Sequence, residues 1–230
     1  VLFLVTHMIV IGGGIAARVR EFPATVQTVQ AGYHHGLSML GLGGLALLFV
    51  RAYSLGGGTY TGIEAVSNGL PIMREPKVQT GRRTMLYMAT SLALTASGLL
   101  LCYLLWHIGP VPGKTMNAVL AERMTVGIPF GTLFVVLFML SEGALLVVAA
   151  QAGFIDGPRV LGNMAVDSWV PHRFAALSER LTTHNGIALM GAASLVALLY
   201  TRGAVSLLVV MYSINVFVTF TLSMLAMARF

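Results

Sequence analysis

Two carboxylates stand in stretches that are otherwise apolar: Glu64, within Gly56-Gly57-Gly58-Thr59-Tyr60-Thr61-Gly62-Ile63-Glu64, and Glu142, within Ser141-Glu142-Gly143. A charge at the centre of a bilayer costs at least about 2.5 kcal/mol on insertion scales, so such a residue ties helices together or marks a path for ions or protons. The hydroxyls of Thr59, Tyr60 and Thr61 surround the first. If the chain unwinds there, the carbonyl oxygens of Gly57 and Gly58 join them. Oxygens of this kind replace the water shell of a hard cation such as potassium or sodium. Thr61 and Glu64, three residues apart, share a face if helix resumes at Gly62. Thr59 carries less weight, because a membrane-helix threonine commonly bonds back to its own backbone. The glycines also admit a rival: they can cradle an anion at the start of a half-helix, which suits an amino acid carboxylate. That fits poorly with Glu64 one turn on, unless the ligand carries an amine or Glu64 is protonated. Glu142 and Ser141 form a second candidate, a proton site or second polar site.

The elements that must position these residues are membrane spans. Of 230 residues, 57% are hydrophobic and 10% charged, and mean hydropathy is +0.83, which is the composition of a polytopic helical membrane protein. Apolar runs cover Val1 to Ala17, Leu37 to Met73, Thr84 to Trp106, Ile128 to Ala152, Gly186 to Tyr200 and Ala204 to Ala228. That predicts six spans in an all-α, multi-pass fold. The second run would measure roughly 55 Å as one helix, against a hydrocarbon core of about 30 Å. It must break, and Gly56-Gly57-Gly58 is where a break belongs. Unwound backbone at that depth needs protein or a watery cavity around it.

The remaining polar residues have plainer readings. His7, in the first span, is expected to pack between helices or bond to backbone, with a proton relay as its rival. Gly12-Gly13-Gly14 suits close helix contact or a kink, and Cys102 suits a packed core thiol. Arg51 must pair or snorkel to water. Glu21 to His35, His107 to Thr125 and Gly153 to Asn185 read as connections, and His34-His35 has no partner with which to bind a metal. No metal-ligand spacing, catalytic triad or nucleotide loop is present, so neither an enzyme nor a cofactor is expected. The net charge of +6 lies mostly at the ends of apolar runs, which points to membrane lipid and away from nucleic acid. The loops at 74–83 and 153–185 carry more Lys and Arg than the opposite side, which places them in the cytoplasm.

The stretch from Arg51 to Gly69, followed by Arg74-Glu75-Pro76-Lys77, resembles helix six and its exit loop in the amino acid–polyamine–organocation (APC) superfamily. More narrowly, it is similar to the KimA-type potassium/proton symporters of the KUP group. Ser141-Glu142-Gly143-Ala144-Leu145-Leu146 resembles helix eight of the same group. Gly153-Phe154-Ile155-Asp156-Gly157-Pro158-Arg159 and Ala165-Val166-Asp167-Ser168-Trp169-Val170-Pro171 are similar to the cytoplasmic loop after it.

The resemblance implies a LeuT-type fold of two inverted five-helix repeats, of which this chain would be one part. Residues 1–18 would be the last helix of the first repeat and about 37–228 the second, within a single transmembrane transporter domain. It further implies potassium at Thr61 and Glu64, protons as the coupled species, a cell-membrane location and a homodimeric intact parent. The chain is expected to be an internal piece of a longer protein, since Val1 opens and Phe230 closes inside apolar runs. The rest of the site would come from helices outside it, and so would the family's regulatory domain that binds cyclic di-AMP. The alternatives are an amino acid permease of the same superfamily, or a sensor or subunit that transports nothing.

Overall fold

The structure is a computed structural model that describes every residue except 58–61, 63–65, 68, 180–181 and 230. Among the described residues all regular structure is helical. Seven α-helices run in order: α1 (Leu2–Arg18), α2 (Phe22–Leu55), α3 (Lys77–Leu105), α4 (Met116–Thr125), α5 (Gly131–Val166), α6 (His184–Thr201) and α7 (Val205–Met227). In hydrocarbon a helix satisfies every backbone N–H and C=O within its own segment, so long apolar runs take this form. Among the described residues five candidates are long and apolar enough to cross a membrane: Leu2–Leu55, Lys77–Leu105, Gly131–Val166, His184–Thr201 and Val205–Met227.

Three expected connections turn out largely helical. The polar stretch after α1 is a single 3₁₀ turn, Val19–Glu21, that leads directly into α2. Its Thr25 and Thr28 bond back to the carbonyls of Glu21 and Ala24, so polarity there did not mean a loop. This merger is why five candidate spans appear where six apolar runs were read. At about 1.5 Å per residue, the 54 residues of Leu2–Leu55 would be far longer than one crossing. Gly41, at φ 67° and ψ 175°, kinks α2 at a conformation that glycine adopts without strain. The expected loop 107–125 contains α4, whose Thr115 hydroxyl caps the Ala118 N–H at 3.1 Å. The expected connection 153–185 is helix as far as Val166, with Pro158 inside it. Proline there removes one backbone donor and marks a bend.

The chain forms two compact units: residues 1–45 with 86–149, and residues 46–85 with 150–230. The core of the first is Val10, Cys102, Ile108, Val119, Leu120, Ala121 and Phe138. Gly98, Cys102 and Trp106 follow one another at four-residue spacing along one face of α3 and its end, and all three meet α1. A Cβ on Gly98 would stand 2.6 Å from Cγ2 of Ile11. The Cys102 thiol points at the Ile11 carbonyl at 3.7 Å, and the Trp106 indole donates to the Gly14 carbonyl at 3.0 Å. Small residues thus bring two helices to backbone distance, as membrane helix pairs require. In the second unit Gly186 packs on Pro158 in the same manner, where a Cβ would lie 2.8 Å from the ring.

Gly98→Val is therefore expected to destabilise the full-length protein by about 1–3 kcal/mol, the usual effect of overpacking. Gly12→Ala, whose new Cβ meets nothing within 4 Å, should cost nothing. Thermal unfolding in detergent tests both, and equal effects from the two would contradict the α1–α3 seam.

Candidate functional site: a buried histidine–glutamate pair

His7 lies on α1, 1% exposed, so neither ring nitrogen has water to bond to. Nδ1 is 2.8 Å from the Phe3 carbonyl oxygen one turn back. Nε2 faces Oε1 of Glu142 on α5 at 3.2 Å. The imidazole is held between two rings, with the Phe3 centroid at 3.8 Å and the Phe138 centroid at 4.6 Å. Beside the pair, Thr6 and Ser141 bring their hydroxyls to 3.2 Å. Each hydroxyl also reaches a carbonyl of its own helix, Thr6 at Phe3 and Ser141 at Phe138. Two successive residues of α1 therefore meet two successive residues of α5.

The network extends to two further elements. The Asn117 amide of α4 donates to the same Oε1 of Glu142 at 2.5 Å, and the Tyr103 hydroxyl of α3 donates to the Asn117 carbonyl oxygen. Four helices thus share one polar cluster, and among the described residues no buried side-chain nitrogen or oxygen lacks a partner. In a low-dielectric interior such a network is favourable only when every member is satisfied. No three His, Cys, Asp or Glu side chains come together among the described residues; the cluster is a hydrogen-bonded network centred on the His7–Glu142 contact. A pocket of about 430 Å³ in the same unit is lined by Ile9, Val10, Trp106, Met124, Phe130 and Phe134 among others. With Thr125 its one polar side chain apart from the indole, it is a lipid-like groove and not an ion site.

Of the residues singled out in the sequence, Ser141 and Glu142 fall together in this cluster. His7 bonds to backbone as its plainer reading required, but its tie to Glu142 was missed. The signal was present: a lone histidine and a lone glutamate in separate apolar spans each need a partner. Asn117 and Tyr103 gave no such signal, one lying in an apparent loop and the other at the end of a span.

At the expected break, α2 ends at Leu55 and a 3₁₀ turn covers Gly56 and Gly57. Gly57 is buried against α7, where a Cβ would stand 2.9 Å from the Phe217 ring. Gly62, Val66, Ser67 and Gly69 have helical backbone. Gly58, Thr59, Tyr60, Thr61 and Glu64 lie outside the described residues, and so does the geometry of the expected cation site.

Helices of this length and apolarity, with a satisfied polar network between them, define an integral membrane protein of the polytopic helical class. No family model matches the chain, and no solved structure matches it either. Among curated proteins it is similar to the "Potassium transporter KimA" of Bacillus subtilis (strain 168), with 30% identity over 227 residues. The match covers 98% of this chain but 36% of that protein, so the chain spans about a third of its relative's length.

Removing one partner of a buried pair strands the other, which typically costs about 3–5 kcal/mol. His7→Leu in the full-length protein should therefore lower stability by about that amount. Ser141→Ala, which removes one neutral hydroxyl, should cost about 1 kcal/mol. Chemical or thermal unfolding in lipid nanodiscs measures the difference, and equal losses would deny His7 its place as the partner on which Glu142 depends.

Proposed function

We propose that the protein containing this chain is a transporter that carries potassium into the cell coupled to protons, by alternating access around the break after α2. The observation that carries this reading is the likeness to the potassium transporter KimA along nearly the whole of this chain. The residues support it independently. A hard, weakly hydrated cation is bound by hydroxyl, carbonyl and carboxylate oxygens, which is what Thr59, Tyr60, Thr61, Glu64 and the backbone of Gly57 and Gly58 supply. α2 stops where those residues begin. In this reading Thr61 and Glu64 are the potassium ligands, and Glu64 balances the ion's charge.

The finer architecture belongs to the same proposal. The chain contributes one helix of a first repeat and the whole of a second, in an APC-type, LeuT-like arrangement of six spans with one discontinuous. Helices elsewhere in the protein complete the site, and two copies assemble. Potassium and protons are the cargo, with no cofactor, and the protein is a carrier and not an enzyme.

Glu64→Gln in the full-length protein, expressed in bacteria that lack their own potassium uptake, tests the assignment. Rubidium uptake should fall by at least tenfold, equivalent to about 1.4 kcal/mol of lost stabilisation, with the protein still present in the membrane. Unchanged uptake would remove Glu64 from the site. Stabilisation of the purified protein by an amino acid, and not by potassium, would replace the substrate.

A further inference from the structure

The apolar run of α5 ends at Ala152, but the helix continues as far as Val166. At about 1.5 Å per residue, the turns that follow Ala152 stand at headgroup depth, outside a hydrocarbon core of about 30 Å. A cavity of about 450 Å³ lies there, between this end of α5 and the chain that leads into α6, wholly within the second unit. Arg159 and Asn163, four residues apart and so on one face of α5, line one side. Thr182 and Thr183 line it from the residues before α6, and Phe154 and Ile187 supply apolar wall.

The parts that frame the cavity are tied to one another. A Cβ on Gly186 would lie 3.0 Å from the Pro158 Cα, and one on Gly157 would lie 2.7 Å from the Met190 methyl. These contacts set α6 on α5 directly beside Arg159. The Asn185 amide donates to the Arg173 carbonyl at 2.8 Å, which fastens the turn His172–Phe174 to the start of α6. The Ser178 N–H donates to the Thr182 carbonyl at 2.9 Å, and the two hydroxyls meet at 2.8 Å.

We infer that this cavity binds the phosphate of an anionic membrane lipid. The Arg159 guanidinium is always charged, and its planar fork of N–H donors matches phosphate oxygens two at a time. The Asn163 amide and the two threonine hydroxyls are further donors for the same group. Asp156, Asp167 and Glu179, the acidic residues of this segment, are not among the described residues that line the cavity, so Arg159 sets its charge. A lipid fits better than a free phosphate because Phe154 and Ile187 stand where the two apolar runs meet the polar chain. They offer contacts to the upper acyl chain of a lipid whose headgroup meets Arg159. The excess of Lys and Arg in the loops at 74–83 and 153–185 puts the cavity at the cytoplasmic leaflet, where anionic lipids are found.

The inference does not depend on which ion is transported, and its test requires no transport. The full-length protein in neutral detergent is titrated with phosphatidylglycerol, phosphatidylcholine or inorganic phosphate, and bound molecules are counted by native mass spectrometry. Phosphatidylglycerol should bind in preference to phosphatidylcholine, whose choline already balances its phosphate. Arg159→Gln should weaken the tightest phosphatidylglycerol site at least tenfold. Arg173→Gln, at an arginine that does not line the cavity, should change it less than twofold. Unchanged binding in Arg159→Gln, equal losses in the two variants, or no saturable site in the full-length protein would overturn the proposal. Displacement of the lipid by inorganic phosphate would give the cavity to a soluble anion and overturn the lipid assignment. If Arg159→Gln does not fold, photo-crosslinking of the wild type decides. A phosphatidylglycerol with a photoreactive group high on its acyl chain should mark peptides that contain Phe154 or Ile187 at least tenfold more than its phosphatidylcholine counterpart. Equal marking by the two would overturn the site.

Discussion

The meeting of His7 with Glu142 is the constraint around which the first unit is arranged. A histidine and a glutamate cannot both be placed in an apolar bundle unless each meets the other's charge or shares its proton. The Phe3 carbonyl settles the histidine's tautomer, and the two flanking aromatic rings settle its plane. Asn117 and Tyr103 extend the same logic outward to α4 and α3. The contacts of Thr6 with Ser141 and of His7 with Glu142 also set the register of α1 against α5. A shift of one residue along either helix would break both at once.

The membrane character of the chain was legible because it rests on composition over long windows; α2 ends at Leu55, at the edge of the glycines, while most of the residues expected to form the break lie outside the described ones. The polar segments were misread for a physical reason. Thr25, Thr28 and Thr115 satisfy backbone groups locally, so hydrophilic residues extend or cap helices here where they would punctuate a soluble fold. The kink at Gly41 was not foreseen, since one glycine among several in an apolar run says nothing about its φ.

The site was legible in its parts but not as a whole. Glu142 drew attention as a carboxylate at membrane depth and Ser141 came with it, yet His7 stands 135 residues away in sequence. Periodicity and spacing describe neighbours on one helix; they hold no information on which helices touch. Asn117 was hidden for a second reason. Its helix is only 10 residues long, too short and too polar to announce itself between Pro112 and Gly127.

The seam between α1 and α3 gives the cluster a further meaning. Gly98, Cys102 and Trp106 hold α3 to α1 through backbone carbonyls and bare glycine surface. α1 meets α5 through side chains, Thr6 with Ser141 and His7 with Glu142. One helix therefore has a neighbour fitted by shape and another matched by polarity, and a substitution that keeps size but removes polarity would be felt on only one of the two.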